Sequence, residues 1–309
     1  MGANTEELIE KIAKLKKEKR AVLLAHNYQR PEIQEIADYV GDSIELSRRA
    51  MDEKDAEIIV FSTVDFMAET AAILNPDKRV FLPLLGAKCP MARMLPADLV
   101  KVWKTTFPEA PLVLYVNSSA EAKAECEICC TSANAVEVVE SLGVNKVLFG
   151  PDQNLAWYVQ RKIGEEIDII PMEGFCPTHE LFHAENVLKV RKEHPDAILL
   201  VHPENRPEVQ MIADFIGSTS QMCRYAKDSP AKEFIIATEV GLLHRLKKEN
   251  PDKVFIPAYE EAICPNMKLN TLESIYESLR DEKHLITLPP DIAKRARRAL
   301  DRMFEAMKK

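Results

Sequence analysis

The chain has 309 residues, 46% apolar and 29% charged, material for about two or three hydrophobic cores, with a net charge of −8. That charge disfavours a nucleic-acid partner but leaves room for a small anionic substrate held by local donors. Charges break every apolar run short of the ~18 residues a membrane span needs, and the polar start MGANTEELIEKIAKLKKEKR lacks a signal-peptide core, so a cytoplasmic location with no membrane partner is expected.

In chain order, residues 1–20 read as a flanking amphipathic helix with a solvated lysine face. Then apolar runs and helical stretches alternate. AVLLAH, EIIVFS and RVFLPL read as buried parallel strands, separated by the helical stretches PEIQEIADYV, IELSRRAM and DFMAETAAIL. LVLYVN, KVLFG and IDIIP follow as strands around the helix NAVEVVESL, and AILLVH, FIIAT and KVFIP around VGLLHRLKKEN. Residues from about 289 to 309 form a closing helix. The expectation is an α/β protein of three αβα units, each with a short parallel sheet of three strands and with boundaries near Pro108 and His194. The spans are 1–108, 109–194 and 195–285, with 286–309 packing back on the units.

The chain matches itself. His26–Ser43 falls on His202–Thr219 at an offset of 176, with nine of eighteen positions identical, and Asn75–Ala92 falls on Asn250–Met267 at an offset of 175. A more diverged middle copy, Tyr115–Ser132, aligns with the first at an offset of 89. Cys89-Pro90, Cys176-Pro177 and Cys264-Pro265 are separated by 87 and 88 residues. A unit repeated three times with one cysteine per copy can bring three thiolates to a pseudo-threefold axis, an arrangement suited to a metal centre.

Ligands of α/β sheets bind beyond the carboxyl ends of the strands. The repeat places His26, Tyr115 and His202 at one equivalent strand end, and Tyr28, Asn117 and Glu204 two residues further on. Each imidazole or phenol could instead satisfy a local hydrogen bond, but threefold recurrence favours a shared cavity. Ser43, Ser132, Ser218 and Thr219 lie where the next helix of each unit begins. Such residues cap helices; three equivalent N-termini could also make an anion site.

Seven cysteines in a reducing compartment read as metal ligands or buried residues before disulfides. Cys126, Cys129 and Cys130 contain a CxxC spacing, yet their repeat partners are small or apolar, so packing is favoured over a regulatory disulfide. Cys223 sits on a helix with no signal of its own. Three thiolates make zinc a weak Lewis acid, whereas a 4Fe-4S cluster with three protein ligands keeps one iron open. An aconitase-like hydro-lyase and a non-catalytic iron-sulfur sensor are both compatible with that inventory.

The ordered motifs HNYQ, GDS, VDFMAE, NPDK, YVNS, TSANA, FGPD, HPE, GST and NMK, together with the three cysteines, resemble the quinolinate synthase family from Ala25 to about Glu282. The resemblance implies three αβα units around a 4Fe-4S cluster, and condensation of iminoaspartate with dihydroxyacetone phosphate to quinolinate for NAD biosynthesis. It also implies an upstream supplier, L-aspartate oxidase or aspartate dehydrogenase. By matching motif, Cys89, Cys176 and Cys264 would ligate the cluster. His26, Tyr28, Ser43, Tyr115, Asn117, Ser132, His179, His202, Glu204, Ser218 and Thr219 would line the cavity, with Tyr28, Glu204, His202 and Tyr115 in catalytic roles. Phe175 stands where the family pattern has histidine.

Overall fold

The computed structural model describes residues 3–308 and contains three four-stranded, all-parallel sheets. The first comprises β1 (Ala21–His26), β2 (Tyr39–Gly41), β3 (Ile58–Ser62) and β4 (Arg79–Phe81). The second comprises β5 (Leu112–Tyr115), β6 (Ile128–Cys130), β7 (Lys146–Gly150) and β8 (Asp168–Pro171). The third comprises β9 (Ile198–Val201), β10 (Phe215–Ile216), β11 (Glu233–Ala237) and β12 (Val254–Pro257). All three share one strand order: β2-β1-β3-β4, β6-β5-β7-β8 and β10-β9-β11-β12.

Sequence reading anticipated three strands per sheet, and the fourth is the one it missed. At two or three residues, β2, β6 and β10 are too short to show a period. PEIQEIADYV, read as one helix, is a six-residue helix Pro31–Ile36 that ends before β2.

These short strands set the register of the repeat. His26 pairs with Gly41 and Tyr115 with Cys130, while Val201 pairs with Ile216, so that His202 and Gly217 follow together. The same pairing therefore recurs at the offsets of 89 and 176 that the alignment requires. The diverged middle copy is in register.

Two compact units are distinguished: residues 1–89 with 264–289, and residues 90–263 with 290–309. In the first, β1 and β3 are buried on both faces, which is why they read as continuous apolar runs. Leu23, Ala25, Ile58 and Val60 pack with Ile12 of the N-terminal helix Ala3–Glu18 and with Leu272, Ile275 and Leu279 of helix Leu272–Asp281. Residues 264–289 thus group with the first sheet. In the second unit, Leu199, Val201, Ile235 and Ala237 form a core with Phe182, Val187 and Val209. The closing helix Pro290–Ala306 packs on β6 and on helices Ala120–Lys123 and Ala135–Ser141, pinned by Arg295 on Glu125 at 2.9 Å. Among the described residues no helix is long and apolar enough to cross a membrane.

Candidate active site

In every sheet the first strand lies between its two neighbours, at the switch point of the strand order, the place where ligands of α/β sheets bind. The polar residues after β1, β5 and β9 occupy this place. A buried amide or amine secures each strand-end loop: Gln34 Nε2 donates to Asn27 O and Gln29 O, Gln210 Nε2 to Pro203 O and Asn205 O, and Lys123 Nζ to Ser118 O at 2.5 Å. Lys123 is fully buried, taking the place of glutamine in the middle copy.

The strand-end histidines are held alike. The Tyr28 N–H donates to His26 Nδ1 at 3.2 Å and the Glu204 N–H to His202 Nδ1 at 3.3 Å. His26 also meets Tyr28 edge to face, with centroids 4.5 Å apart. Lys268 Nζ donates to Tyr28 O, and Lys268 O accepts from Arg30.

In the second unit, Glu204 gathers the polar side chains. Tyr115 Oη donates to its Oε1 at 2.7 Å, and Asn117 Nδ2 reaches the same oxygen at 3.3 Å. His179 Nδ1 lies 2.9 Å from Oε2, with His202 Nδ1 at 3.8 Å. His179 stacks on His202 at 4.8 Å, and its Nε2 is 2.8 Å from Thr238 Oγ1. Tyr115, His179, His202 and Glu204 are all buried.

Burial alone would favour the neutral acid at Glu204. The charge of His202, the hydrogen bond and charge of His179 and the Tyr115 hydroxyl outweigh it, and hold the carboxyl at about 2. Glu204 is therefore a carboxylate at neutral pH. Because the unfolded chain takes up this proton near 4.5, the stability Glu204 contributes is complete above that pH and is lost as pH falls towards the folded value. Urea denaturation from about pH 5 down to about pH 3 should show a flatter loss of stability in Glu204→Gln than in the wild type.

Cys176 joins this group: its Sγ, a His179 nitrogen and a Glu204 oxygen lie within 4.8 Å of one another. All seven cysteines are thiols, and they fall into two classes. Cys89, Cys176 and Cys264 are half-buried, whereas Cys126, Cys129, Cys130 and Cys223 are buried. Each half-buried cysteine is followed by a proline and then by a short helical segment: Pro90–Met94 after Cys89, His179–Leu181 after Cys176 and Met267–Leu269 after Cys264. Half-buried thiols suit metal ligation. The buried ones do not: burial pushes the Cys126 and Cys130 thiols well up, although the sulfurs of Cys126 and Cys129 are 3.8 Å apart.

The three helix starts differ more than the repeat suggests. Asp42 caps helix Ser43–Asp52 by accepting from Ile44 and Glu45, which leaves Ser43 inside the first turn. Ser132 lies in a turn three residues before helix Ala135–Ser141, where Thr131 Oγ1 donates to Asn134 Oδ1. Only Ser218 completes a capping box, with Gln221, at the start of helix Thr219–Asp228. Equivalent chain positions thus carry unequal capping chemistry. Ser218→Ala should lower stability by about 0.5–2 kcal/mol in thermal or urea melts.

Sequence reading missed the acids that follow β3 and β7, the third strands of the first two sheets. Asp65 Oδ1 accepts the Cys89 N–H at 3.0 Å, and Asp152 Oδ2 accepts the Cys176 N–H at 2.9 Å. Asp152 is fully buried, and burial, followed by the charge of Glu204, pushes its carboxyl well above the ordinary carboxylate range. A signal was available, since each acid stands 24 residues before its cysteine. Phe175 is half-buried, with its N–H 3.5 Å from Met94 Sδ.

Comparison with known proteins accounts for nearly the whole chain. Residues 10–305 match the family model described as Quinolinate synthetase A protein. The chain belongs to the quinolinate synthase A family. It is 53% identical over 296 residues to the quinolinate synthase of Thermodesulfovibrio yellowstonii, covering 96% of this chain and 97% of that protein. It is 54% identical over 293 residues to that of Methanothermobacter thermautotrophicus, covering 95% and 96%. Against the quinolinate synthase of Thermotoga maritima the identity is 48% over 300 residues, 97% of this chain and all of the other. The chain is thus an enzyme of the quinolinate synthase A family, and Glu204 with its partners is that enzyme's candidate active site.

Proposed function

We propose that the protein condenses iminoaspartate with dihydroxyacetone phosphate to quinolinate, in NAD biosynthesis, using a 4Fe-4S cluster ligated by Cys89, Cys176 and Cys264. The carrying observation is the ionised Glu204, surrounded by Tyr115, Asn117, His179 and His202 beside Cys176. The reaction balances without an oxidant or reductant: the two substrates give quinolinate, phosphate and two waters. What it requires is repeated proton transfer as the carbon skeletons join, the imine closes the ring and water departs. When bound, the cluster supplies a Lewis-acidic open iron.

The protein's own residues do the rest. Glu204, held at about 2, serves as an acceptor and as the fixed charge that orients its neighbours. Tyr115, His179 and His202 are the groups able to donate protons beside it, and Tyr28 with His26 offers the corresponding pair after β1. Asn117, Ser43, Ser132, Ser218 and Thr219 supply neutral donors for substrate carboxylates and phosphate, which suits a chain of net charge −8.

Anaerobically reconstituted protein supplied with the two substrates should form quinolinate and release phosphate. Dehydration of hydroxy acids without quinolinate would point instead to a hydro-lyase, and cluster loading with neither product would point to a sensor.

A further inference from the structure

We propose that Asp152 and Asp65 are positioning residues for the metal-ligating cysteines, an inference that rests on the cluster reading above. The segments that carry the acids also hold the cysteine segments through the backbone. Asp65 N–H donates to Ala87 O at 2.9 Å and Gln153 N–H to Gly174 O at 2.8 Å, each carbonyl lying two residues before the cysteine. The third copy repeats the backbone tie, from Val240 N–H to Ala262 O at 3.0 Å. Gly174 has a φ of 142°, and a Cβ there would come 2.8 Å from Pro151 Cβ. The loop before Cys176 is therefore pressed against the turn carrying Asp152, and only glycine fits the contact.

The two acids reach the same target from different backbone positions. Asp152 is the N-cap of helix Gln153–Ile163, whereas Asp65 is the first residue of helix Asp65–Leu74, after the N-cap Val64. That a carboxyl group meets the cysteine N–H in both copies despite this one-residue difference argues for a requirement at the cysteine rather than inheritance of a cap. A carboxyl group that spends an oxygen on one particular N–H fixes the orientation of that peptide, and with it the direction of the cysteine Cα–Cβ bond.

The oxygens are used differently, and the difference makes the inference testable. Asp65 accepts from both Phe66 N–H and Cys89 N–H with Oδ1. Asp152 accepts from Asn154 and Leu155 with Oδ1 and from Cys176 with Oδ2. An asparagine at 65 keeps the one oxygen that both bonds need. At 152, asparagine must turn its NH2 towards either the helix N–H groups or the Cys176 N–H.

The test compares iron and sulfide content, and the rate of iron release to a ferrous chelator, in anaerobically reconstituted wild type, Asp65→Asn, Asp65→Ala, Asp152→Asn and Cys176→Ser. Apo-protein melting is recorded alongside. Asp65→Asn should hold iron like the wild type, while Asp65→Ala and Asp152→Asn should bind it about 10- to 100-fold more weakly. Wild-type retention in Asp65→Ala and Asp152→Asn, or equal losses in Asp65→Asn and Asp65→Ala, overturns the proposal. If Asp152→Asn does not fold, the pair at Asp65 decides. Full loading of Cys176→Ser removes the cluster reading itself, and this inference with it. Loss in Cys176→Ser with retention in the aspartate variants removes this inference alone.

Discussion

Changing Cys176 to serine is expected to eliminate the visible absorption of the anaerobically reconstituted cluster and to reduce quinolinate formation to background, and so are the same changes at Cys89 and Cys264. A serine hydroxyl is a far weaker iron ligand than a thiolate, and a cluster with three protein ligands has none to spare. Cys126, Cys129, Cys130 and Cys223 serve as the internal control. Their thiols are buried, and Cys129 and Cys130 lie within β6 beneath the closing helix. Small replacements there should cost stability through packing but leave iron and sulfide at wild-type levels. Measured iron, sulfide and absorbance for all seven single variants give the answer. Retention in any of the first three, or loss in Cys126→Ser, would rule out this ligand set.

The second large effect is expected at Glu204. Glu204→Gln should lower turnover by about 10²-fold or more while the cluster spectrum is unchanged. The carboxylate faces donors on both sides, Tyr115 and Asn117 on Oε1 and His179 on Oε2. A glutamine retains one acceptor and presents an NH2 with the other atom. If the NH2 faces His179, Nδ1 must accept and the ring proton moves to Nε2, against Thr238. If it faces Tyr115, the phenol loses its acceptor. Either way a proton is displaced and the fixed negative charge is gone. Single-turnover kinetics with the absorption spectrum recorded on the same sample separate this outcome from loss of the cluster. Turnover close to wild type would show that Glu204 only fills space.

Much of this was legible before any coordinates, because repetition makes weak signals add. Nine identities in eighteen positions between His26–Ser43 and His202–Thr219 bring His26 and His202 into correspondence. Continuous apolar runs such as AVLLAH and EIIVFS identify strands buried on both faces. The Cys-Pro spacing separates three cysteines from the other four, and the structure divides the seven in the same way by exposure.

Tertiary structure decided what depends on residues far apart in the chain. The strands β2, β6 and β10 exist because a neighbouring strand pairs with them, since two or three residues have no periodicity of their own. Residues 264–289 group with the first sheet because the apolar face of helix Leu272–Asp281 is buried against β3 and the N-terminal helix, a contact no local pattern announces. Glu204 stays ionised while Asp152 is pushed towards neutrality, though both are fully buried acids. Burial raises both; the difference lies in neighbours supplied by other elements, two imidazoles and a phenol for Glu204 and a second carboxylate for Asp152. Chain order fixes which residues recur, but the charge each one carries depends on what folding places within a few ångströms of it.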